Sequence, residues 1–287
     1  MTGTRPRARK RFGQHFLERA WIDKVIRSIA PQSSETFLEI GPGPGGLTLP
    51  LAKAARRVVG VEIDRDLATD LEKLAAPNLA IIEGDFLEVA PSALAGRLFP
   101  DGAVSGPVRI AGNLPYNAAA PILFRLLELH EAGALRFIDA TVMLQREVAD
   151  RLLAPVGSKD YGVLTILVGR LARVERLLDL PPGAFRPPPK VRSTVVRLTF
   201  HPSDPPVSTP TAFTALVRAV FTRRRKTIAN ALLAYPVSET LDIAEVLDCA
   251  SIDPKRRPET LSRADFARLD GEIGARLRAP GSGGSGR

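Results

Sequence analysis

The tetrapeptide Asn113-Leu114-Pro115-Tyr116 follows an apolar run, residues 107–112, and carries groups that fit a planar amine. The Asn113 amide oxygen and the Leu114 carbonyl can accept two hydrogen bonds from an amino group such as adenine N6, which directs its lone pair out of the ring plane. Pro115 stiffens the turn, and the Tyr116 ring offers a flat face on which an extruded base can stack. The motif predicts methylation of adenine N6. Its alternative is a strand-ending turn with an Asn cap and a packed Tyr.

A glycine-rich turn earlier in the chain has the form of a cofactor-binding loop. Four of the residues 41–46 are glycines, and a helical pattern over residues 47–55 follows them. Gly41 and Gly43 let the backbone bend tightly and approach a ligand, and the N-terminus of a following helix attracts negative charge. Glu62 ends the next apolar run, at the spacing expected of a carboxylate that binds a ribose. These features fit a nicotinamide dehydrogenase as well as a methyltransferase.

Two acidic residues favour S-adenosylmethionine over a dinucleotide. Glu39 precedes the first glycine, where a carboxylate can receive the methionine ammonium group but would repel a pyrophosphate. Asp85 closes a third apolar run, where its carboxylate can accept the adenine amino group of the cofactor, and Phe86 can line the adenine slot. We therefore predict S-adenosylmethionine as the cofactor. The alternative is a set of solvated acids in surface loops.

Over nearly its whole length, the chain resembles the ribosomal RNA adenine N6-dimethyltransferase family of the KsgA type. Several of the matching motifs are specific to this family rather than to methyltransferases at large. The residues that carry the resemblance are 11–17, 39–46, Glu62, Gly84-Asp85, 113–117, 143–148, 185–191 and 224–227.

The resemblance implies an α/β fold, a Rossmann-like class I methyltransferase sheet with a small all-helical C-terminal domain. It implies that the segment from Gln14 to Leu17 folds over the cofactor, with contacts at His15 and Leu17, and that Tyr116 and Phe185 sandwich the target base. The remaining cofactor contacts are expected at Glu39, Gly41, Gly43, Glu62, Asp85, Phe86 and Asn113. The implied substrate is a pair of adjacent adenines in the 3′-terminal hairpin of small-subunit ribosomal RNA.

One departure from the family pattern lies in the predicted cofactor segment. Many members carry Asn at the position of His15, and both side chains can donate and accept hydrogen bonds. Whether His15 contacts the cofactor through its side chain or its backbone is left open by the sequence.

Composition narrows the class of protein. The 287 residues carry a net charge of +9, which suits a polyanionic partner, although excess Arg and Lys also favours solubility. The single cysteine, Cys249, excludes an intramolecular disulfide and a cysteine zinc site, and no metal site is predicted. No apolar stretch approaches membrane-spanning length, and the basic N-terminus lacks the apolar segment of a signal peptide. We expect a cytoplasmic protein that does not bind membranes and that is a monomer.

The order of apolar runs predicts the elements that position these residues. A helix near residues 21–29 is followed by strands ending near Ile40, Val61, Ile82 and Ala111, with helical patterns between them. A helix at 121–129, a strand at 137–144, a helix at 147–153 and a strand at 194–200 come next. Such alternation predicts a parallel sheet covered by helices on both faces, with ligands at the carboxyl ends of its strands.

A proline-rich stretch, residues 201–208, reads as a linker between two domains. The methyltransferase domain is predicted over residues 1–203 and a helical RNA-binding domain over residues 209–279. The helices of the latter are predicted at 212–233, 238–249 and 262–277. Residues 280–287 form a glycine- and serine-rich tail that needs no fold.

Two basic runs are candidate RNA contacts. The first C-terminal helix is predicted to carry four adjacent cations, Arg223, Arg224, Arg225 and Lys226. These side chains either contact RNA phosphates or form a solvated face. A second run, five cations within residues 5–11, is either an arm that orders on RNA or a frayed end.

Three other functions remain open at the sequence level. An Erm-type methylase of large-subunit RNA shares the chemistry, but the motifs at 113–117, 187–191 and 224–227 look more like the small-subunit family. A ribosome-assembly factor that keeps a cofactor fold without catalysis is the alternative from another class. A dehydrogenase fits the glycine-rich turn alone.

Overall fold

The computed structural model describes residues 14–74, 76–100, 106–207 and 209–278. Within these ranges the strands are β1 (Phe16–Leu17), β2 (Thr36–Ile40), β3 (Arg57–Glu62), β4 (Leu79–Glu83), β5 (Pro107–Asn113), β6 (Arg136–Gln145), β7 (Ala172–Leu180), β8 (Phe185–Arg186) and β9 (Ser193–Phe200). The helices are α1 (Arg19–Ile29), α2 (Thr48–Ala54), α3 (Arg65–Glu72), α4 (Pro91–Leu98), α5 (Ala119–Glu131), α6 (Arg146–Leu152), α7 (Val163–Leu171), α8 (Pro210–Thr222), α9 (Ile228–Leu232), α10 (Ile243–Cys249) and α11 (Arg263–Arg278).

A seven-stranded sheet in the order β4-β3-β2-β5-β6-β9-β7 forms the centre of the fold. The chain runs outward from β2 to β3 and β4, then returns to the other side of β2 to place β5 and β6. Right-handed crossovers in these two directions put the connecting helices on opposite faces. The order therefore reverses between β2 and β5, and such a switch point opens a crevice at the carboxyl ends of the strands.

The predicted strands near residues 40, 61, 82 and 111 are confirmed, with observed ends within two residues. The predicted parallel sheet is confirmed from β4 to β6, whereas β9 runs antiparallel to both β6 and β7. The strand β7 and the helix α7 have no counterpart in the sequence prediction. Arg173, Glu175 and Asp179 interrupt the apolar pattern of β7, as suits an edge strand, whose charges discourage pairing with another chain.

An apolar core joins α1 to the sheet. The buried side of α1 presents Val25 and Ile29, each 1 % exposed, to a cluster that includes Phe37 of β2 and Met143 of β6. Each fully buried side chain of this size contributes roughly 1.5–3 kcal/mol to the free energy of unfolding. The cluster thereby fixes the strand ends on which the site is built.

A buried arginine connects the strands β5 and β6 to the end of α1. Arg109 of β5 donates two hydrogen bonds of 2.9 Å to Asp139 of β6 and a third, of 2.8 Å, to Glu35. The Nη2 atom, which binds Asp139, also donates to the carbonyl oxygen of Ile29, at the end of α1. Because removing one partner would strand a buried charge, this network holds β5, β6 and α1 in one register.

The chain divides into two compact units. One runs to Asp150 and takes up Leu171–Pro202, and the other consists of Arg151–Arg170 and the chain from Ser203 onward. Residues 151–170, predicted to belong to the N-terminal domain, group with the C-terminal helices in this division. The backbone accounts for that placement, since the Gly157 N–H donates to the Glu259 carbonyl and the Tyr161 hydroxyl donates to the Leu261 carbonyl.

The single helix predicted over residues 212–233 is wrong. The helix α8 ends at Thr222, a turn follows, and α9 begins at Ile228. The Lys226 N–H donates to the Arg223 carbonyl within that turn, and the Ile228 N–H donates to the carbonyl of Arg256. Long-range pairing and repulsion among four adjacent cations favour the turn over a continuous helix. The helix expected at 238–249 begins later, at Ile243, where the Asp242 side chain caps it.

The described residues contain no helix that is long and apolar enough to cross a membrane. The basic run within residues 5–11 and the tail at 280–287 lie outside the described residues.

Candidate active site

A pocket opens at the carboxyl ends of β2, β3, β5 and β6, at the switch point of the sheet. Most of the residues predicted to bind cofactor or base line it. The lining comprises Gln14, His15, Phe16, Leu17, Glu39, Gly41, Pro42, Gly43, Pro44, Gly46, Leu47, Glu62, Ile63, Asn113, Leu114, Pro115, Tyr116 and Met143.

The segment containing β1 closes one side of this pocket. β1 pairs antiparallel with β8, with Leu17 opposite Phe185. The Gln14 side chain donates to the Asp64 carboxylate at 3.2 Å, and the Phe16 ring packs over Gly43, with 3.4 Å from its Cε1 to the position that a Cβ would take. Residues 14 and 16 thus contact the residues around the glycine-rich turn, and the closure of the segment 14–17 over the cofactor stays a prediction.

The glycine-rich turn is held open by backbone hydrogen bonds. The Gly41 N–H donates to the Val61 carbonyl of β3 at 3.0 Å, and the Gly45 N–H donates to the Pro42 carbonyl at 3.1 Å. Gly41 and Gly43 have φ angles of 67° and 59°, in the left-handed region where a side chain would be strained. The turn therefore needs glycine at both positions.

Glu39 is a buried carboxyl group with an unused acceptor. It is 1 % exposed, and in the ladders it lies opposite two small residues, Gly60 of β3 and Ala111 of β5. Its Oε2 atom has no hydrogen-bond partner. Burial raises the pKa of Glu39 to about 8. A cationic ligand group in the pocket would satisfy the orphaned oxygen and return the carboxyl group to its charged form.

Glu62, at the end of β3, is oriented by two backbone amides. The Gly43 N–H donates to its Oε2 atom at 2.8 Å, and the Asp64 N–H donates to its Oε1 atom at 2.9 Å. Burial raises the pKa of this carboxyl group as well. Each carboxylate oxygen keeps a second lone pair, so Glu62 can still accept a hydrogen bond from a sugar hydroxyl. Its neighbour Ile63 is 46 % exposed and lines the pocket as an apolar surface.

The structure does not place Asp85 and Phe86 in the pocket lining. The Gly84 N–H donates to the Glu62 carbonyl, so the turn after β4 adjoins the end of β3. The Asp85 Oδ1 atom accepts a hydrogen bond from the Leu87 N–H, and Phe86 is 4 % exposed, packed inside. Their contact with a cofactor stays a prediction.

Asn113 presents an acceptor to the pocket. Its Nδ2 atom donates to the His15 carbonyl at 2.7 Å, which leaves the amide oxygen as the group that can accept from a ligand. The next residue is also fixed, because the Leu114 N–H donates to the Met143 carbonyl at 3.2 Å. The end of β5 is therefore held by β1 on one side and β6 on the other.

Tyr116 is held at its hydroxyl group and on one face of its ring. Its hydroxyl oxygen lies 2.6 Å from the Ser193 Oγ atom at the start of β9, and burial raises the pKa of Tyr116. The His15 ring stacks on it with 5.4 Å between ring centroids and 26° between planes. The His15 Nδ1 atom in turn lies 2.7 Å from the Pro187 carbonyl oxygen. His15 thus contacts both segments predicted to hold the base.

Phe185 is not among the residues that line this pocket, and its contact with the target base stays a prediction. Phe185 is 1 % exposed and belongs to the core cluster, while its neighbour Arg186 points outward. Adjacent residues of a strand face opposite sides, and the pairing of β8 with β1 turns Phe185 inward. His15 is the aromatic side chain that lies against Tyr116.

Sequence reasoning did not assign roles to Ile63, Met143 or Ser193. The signal for Ile63 in the sequence was its position directly after Glu62, the acidic residue at a strand end. An apolar side chain at the mouth of a crevice can line a ligand. Ser193 and Met143 could be placed beside the site only from strand pairing. Among the described residues, no group of three or more His, Cys, Asp or Glu side chains is arranged to hold a metal ion.

The predicted RNA contacts lie in the second unit and differ among themselves. Arg223, Arg225 and Lys226 are exposed. Arg224 is partly buried, donates to the Ser158 carbonyl at 3.0 Å and lies 3.9 Å from Glu259. Arg224 therefore has a structural role within its own unit.

A doubly wound sheet whose switch point carries a glycine-rich turn, a buried carboxyl group and an Asn-Leu-Pro-Tyr corner defines a class I methyltransferase. The family model described as "Ribosomal RNA adenine dimethylase" matches residues 5–269, so the chain belongs to the ribosomal RNA adenine dimethylase family. S-adenosylmethionine is the methyl donor of this family, and the orphaned oxygen of Glu39 fits its ammonium group.

Relatives agree with this assignment over most of their length. The chain is 42 % identical to the ribosomal RNA small subunit methyltransferase A of Anaeromyxobacter dehalogenans, over 93 % of this chain and 94 % of that protein. It is 43 % identical to the protein of the same name from Nitrosococcus oceani, over 92 % and 95 %.

Two of the matching solved structures resemble most of the chain. A dimethyladenosine transferase from Plasmodium falciparum superposes with a TM-score of 0.72 at 25 % identity, covering 92 % of this chain and 98 % of that one. The 23S rRNA methyltransferase ErmE gives a TM-score of 0.61 at 27 % identity, covering 90 % and 99 %.

Proposed function

We propose that this protein transfers methyl groups from S-adenosylmethionine to N6 of adenine in small-subunit ribosomal RNA, twice on each of two adjacent adenines. The observation that carries the proposal is the Asn113 side chain. Its nitrogen is committed to the His15 carbonyl, and its oxygen is left for an amino group beside the Tyr116 ring.

The proposed cofactor contacts divide by chemistry. Glu39 binds the ammonium group, Glu62 binds the ribose hydroxyls, and Ile63 packs on the adenine ring. The turn at Gly41 and Gly43 lets the backbone approach the ligand closely, and His15 and Leu17 cover it from the β1 side. Asp85 and Phe86 complete the adenine slot in this proposal. S-adenosylmethionine supplies an electrophilic methyl group on its sulfonium.

The target adenine is proposed to leave its base stack and lie against Tyr116. Unstacking costs a few kcal/mol and is least costly in a loop. The Asn113 amide oxygen and the Leu114 carbonyl accept one hydrogen bond each from the N6 amino group. These two bonds direct the nitrogen lone pair toward the methyl group. Pro115 keeps these two acceptors in a fixed turn.

Positioning accounts for most of the rate in this mechanism. The cofactor would leave as a neutral thioether when its sulfur–methyl bond breaks, and the cationic N6 would lose its proton to solvent, so no strong base is required. After the first transfer one N–H remains for the two acceptors, and the amine must rotate before the second transfer.

The choice of RNA rests on the relatives. The two small-subunit methyltransferases named above are 42 % and 43 % identical to this chain, whereas the 23S rRNA methyltransferase ErmE is 27 % identical. We propose a partly assembled small subunit as the substrate, with the protein acting as a monomer in the cytoplasm. Arg223, Arg225 and Lys226 are proposed contacts to its phosphates.

Mass spectrometry of nucleosides tests this proposal. Small ribosomal subunits that lack the modification would be incubated with the protein and S-adenosylmethionine, in parallel with large-subunit RNA. We expect N6,N6-dimethyladenosine in the small subunit and none in large-subunit RNA. Methylation of large-subunit RNA instead would favour an Erm-type activity. Tight binding to subunits with no methylated adenosine would favour a non-catalytic assembly factor.

A further inference from the structure

Three cationic side chains lie on two segments that meet beside Tyr116. Arg146 begins α6, and Lys190 and Arg192 lie in the segment that leads into β9. The Arg146 N–H donates to the Arg192 carbonyl at 3.0 Å, next to the paired residues Gln145 and Ser193. Ser193 is also the residue whose hydroxyl group contacts the Tyr116 hydroxyl. Arg192 is therefore one residue from the contact that holds Tyr116.

The charges of these side chains are largely uncompensated. Lys190 and Arg192 are exposed, and neither forms an ion pair with any residue that the structure describes. The Arg146 side chain is 50 % exposed and lies 3.6 Å from Asp150, a carboxylate that also pairs with Arg176. The neighbouring Arg186 differs from Lys190 and Arg192, since it contacts Glu18. Two exposed cations that form no ion pair with a described residue, Lys190 and Arg192, thus lie within three residues of Ser193, which contacts Tyr116.

The segment that carries them is held at both ends. The Pro187 carbonyl contacts the His15 ring, and the Arg192 carbonyl accepts from Arg146. Three successive prolines, residues 187–189, fix the φ angles between those two points. A pre-ordered segment loses little conformational entropy when it binds a ligand, which distinguishes this arrangement from a mobile surface loop.

We propose that Arg146, Lys190 and Arg192, together called the cationic rim, bind the phosphodiester groups that flank the adenosine held at Tyr116. The proposal rests on the proposed function, because a base can reach Tyr116 only with its phosphates at the mouth of the pocket. Neutralising those phosphates releases counterions and offsets part of the cost of extruding the nucleotide. The rim acts on the RNA backbone and not on the cofactor.

Glutamine substitutions test the rim in the full-length protein. Lys190→Gln and Arg192→Gln each remove one exposed charge of the cationic rim. Arg173→Gln is the matched control, because the Arg173 side chain is 80 % exposed and Arg173 pairs with Thr199, six residues along β9 from Ser193. That separation is roughly 20 Å. The KM for undermodified small subunits would be measured over a series of salt concentrations, together with the affinity for S-adenosylmethionine.

We expect each rim substitution to raise the KM several-fold and to reduce the magnitude of the slope of log affinity against log salt by about 0.7–0.9, the value for one phosphate contact. Cofactor affinity should stay at the wild-type value, and Arg173→Gln should change neither quantity. Rim variants with wild-type KM and salt slope would overturn the proposal, as would a parallel loss of cofactor affinity. Wild-type protein that methylates no ribosomal RNA would contradict the proposed function itself, so the two failures are distinguishable.

Discussion

The buried Glu39 carboxyl group destabilises the unliganded protein, and its proposed role is to bind the cofactor. A carboxyl group that is 1 % exposed and has a pKa of about 8 is mostly neutral at pH 7, and one of its oxygens has no partner. A hydrophobic or amide side chain would be less costly at that position in the unliganded protein. The carboxyl group becomes favourable when the pocket holds a cation, which is the proposed role of the cofactor's ammonium group.

Glu39→Gln should therefore stabilise the unliganded protein and weaken cofactor binding. Between the unfolded pKa of about 4.5 and the folded pKa of about 8, the unfolded chain loses a proton that the folded protein keeps. Wild-type stability consequently falls as pH rises through this window, and the substitution removes that loss. We expect a gain on the order of a few kcal/mol at pH 8 and little gain at pH 4.5, measured by urea unfolding.

Cofactor affinity in the wild type should rise with pH up to about 8, because binding the ammonium group requires ionised Glu39. Glu39→Gln should lower the affinity at least tenfold and remove this pH dependence, as measured by calorimetry. Glu83→Gln is the control, since Glu83 is an exposed carboxylate at the end of the neighbouring β4. An unchanged affinity in Glu39→Gln would show that the carboxyl group does not bind the cofactor.

The sequence predicted individual site residues unevenly. Glu39, Gly41, Gly43, Glu62 and Asn113 follow strands whose apolar runs are evident, so their meeting at one sheet edge could be inferred. The inward side of Phe185 depends on the two-residue pairing of β8 with β1, which joins residues far apart in the sequence. The contact of His15 with Tyr116 also joins residues far apart in the sequence, and no local pattern predicts it.

At the scale of elements, the junction of β2 and β5 positions the catalytic corner. Gly112 lies opposite Ile40, and a Cβ atom there would meet the Ile40 carbonyl oxygen at 2.7 Å. That oxygen belongs to the backbone and cannot move away without shifting the strand. The absence of a side chain at Gly112 thus sets how closely β5 approaches β2, one residue before Asn113.

Gly112→Ala should lower the free energy of unfolding by roughly 1–3 kcal/mol, the usual cost of overpacking, and should reduce methylation more than stability alone explains. Gly96→Ala is the control, because Gly96 lies in α4 with no atom within 4 Å of an added Cβ. Alanine there should be neutral or stabilising. Denaturant unfolding and methylation rates would be compared, and a Gly112→Ala protein with wild-type values of both would refute this view of the junction.

Elements with a plain apolar pattern were predictable, and elements defined by pairing were not. The strands β2, β3, β5 and β6 are largely buried in the sheet and are evident as apolar runs in the sequence, as is the partly buried edge strand β4. The edge strand β7 carries charges along its length and was missed. The run from Arg223 to Lys226 continues a helical pattern in the sequence, but Ile228 pairs with Arg256 and the helix ends at Thr222.

At the scale of the whole molecule, the net charge of +9 is the property most relevant to RNA. Binding of small subunits should weaken with salt, with a slope of log affinity against log salt steeper than about −2, which corresponds to three or more phosphate contacts. Binding of S-adenosylmethionine should change little over the same range, since a buried ion pair is screened less than exposed charges. Filter binding and calorimetry at several salt concentrations would check both, and a flat RNA slope would exclude a role for the exposed cations.

The most direct measurement compares wild-type protein with Asn113→Ala on undermodified small subunits, with nucleosides analysed by mass spectrometry and cofactor affinity measured separately. The substitution removes the amide oxygen that should accept from N6 and the bond to the His15 carbonyl. We expect N6,N6-dimethyladenosine with the wild type alone, at cofactor concentrations that saturate both proteins. Dimethyladenosine formed at the wild-type rate by Asn113→Ala would contradict the proposed chemistry of the site.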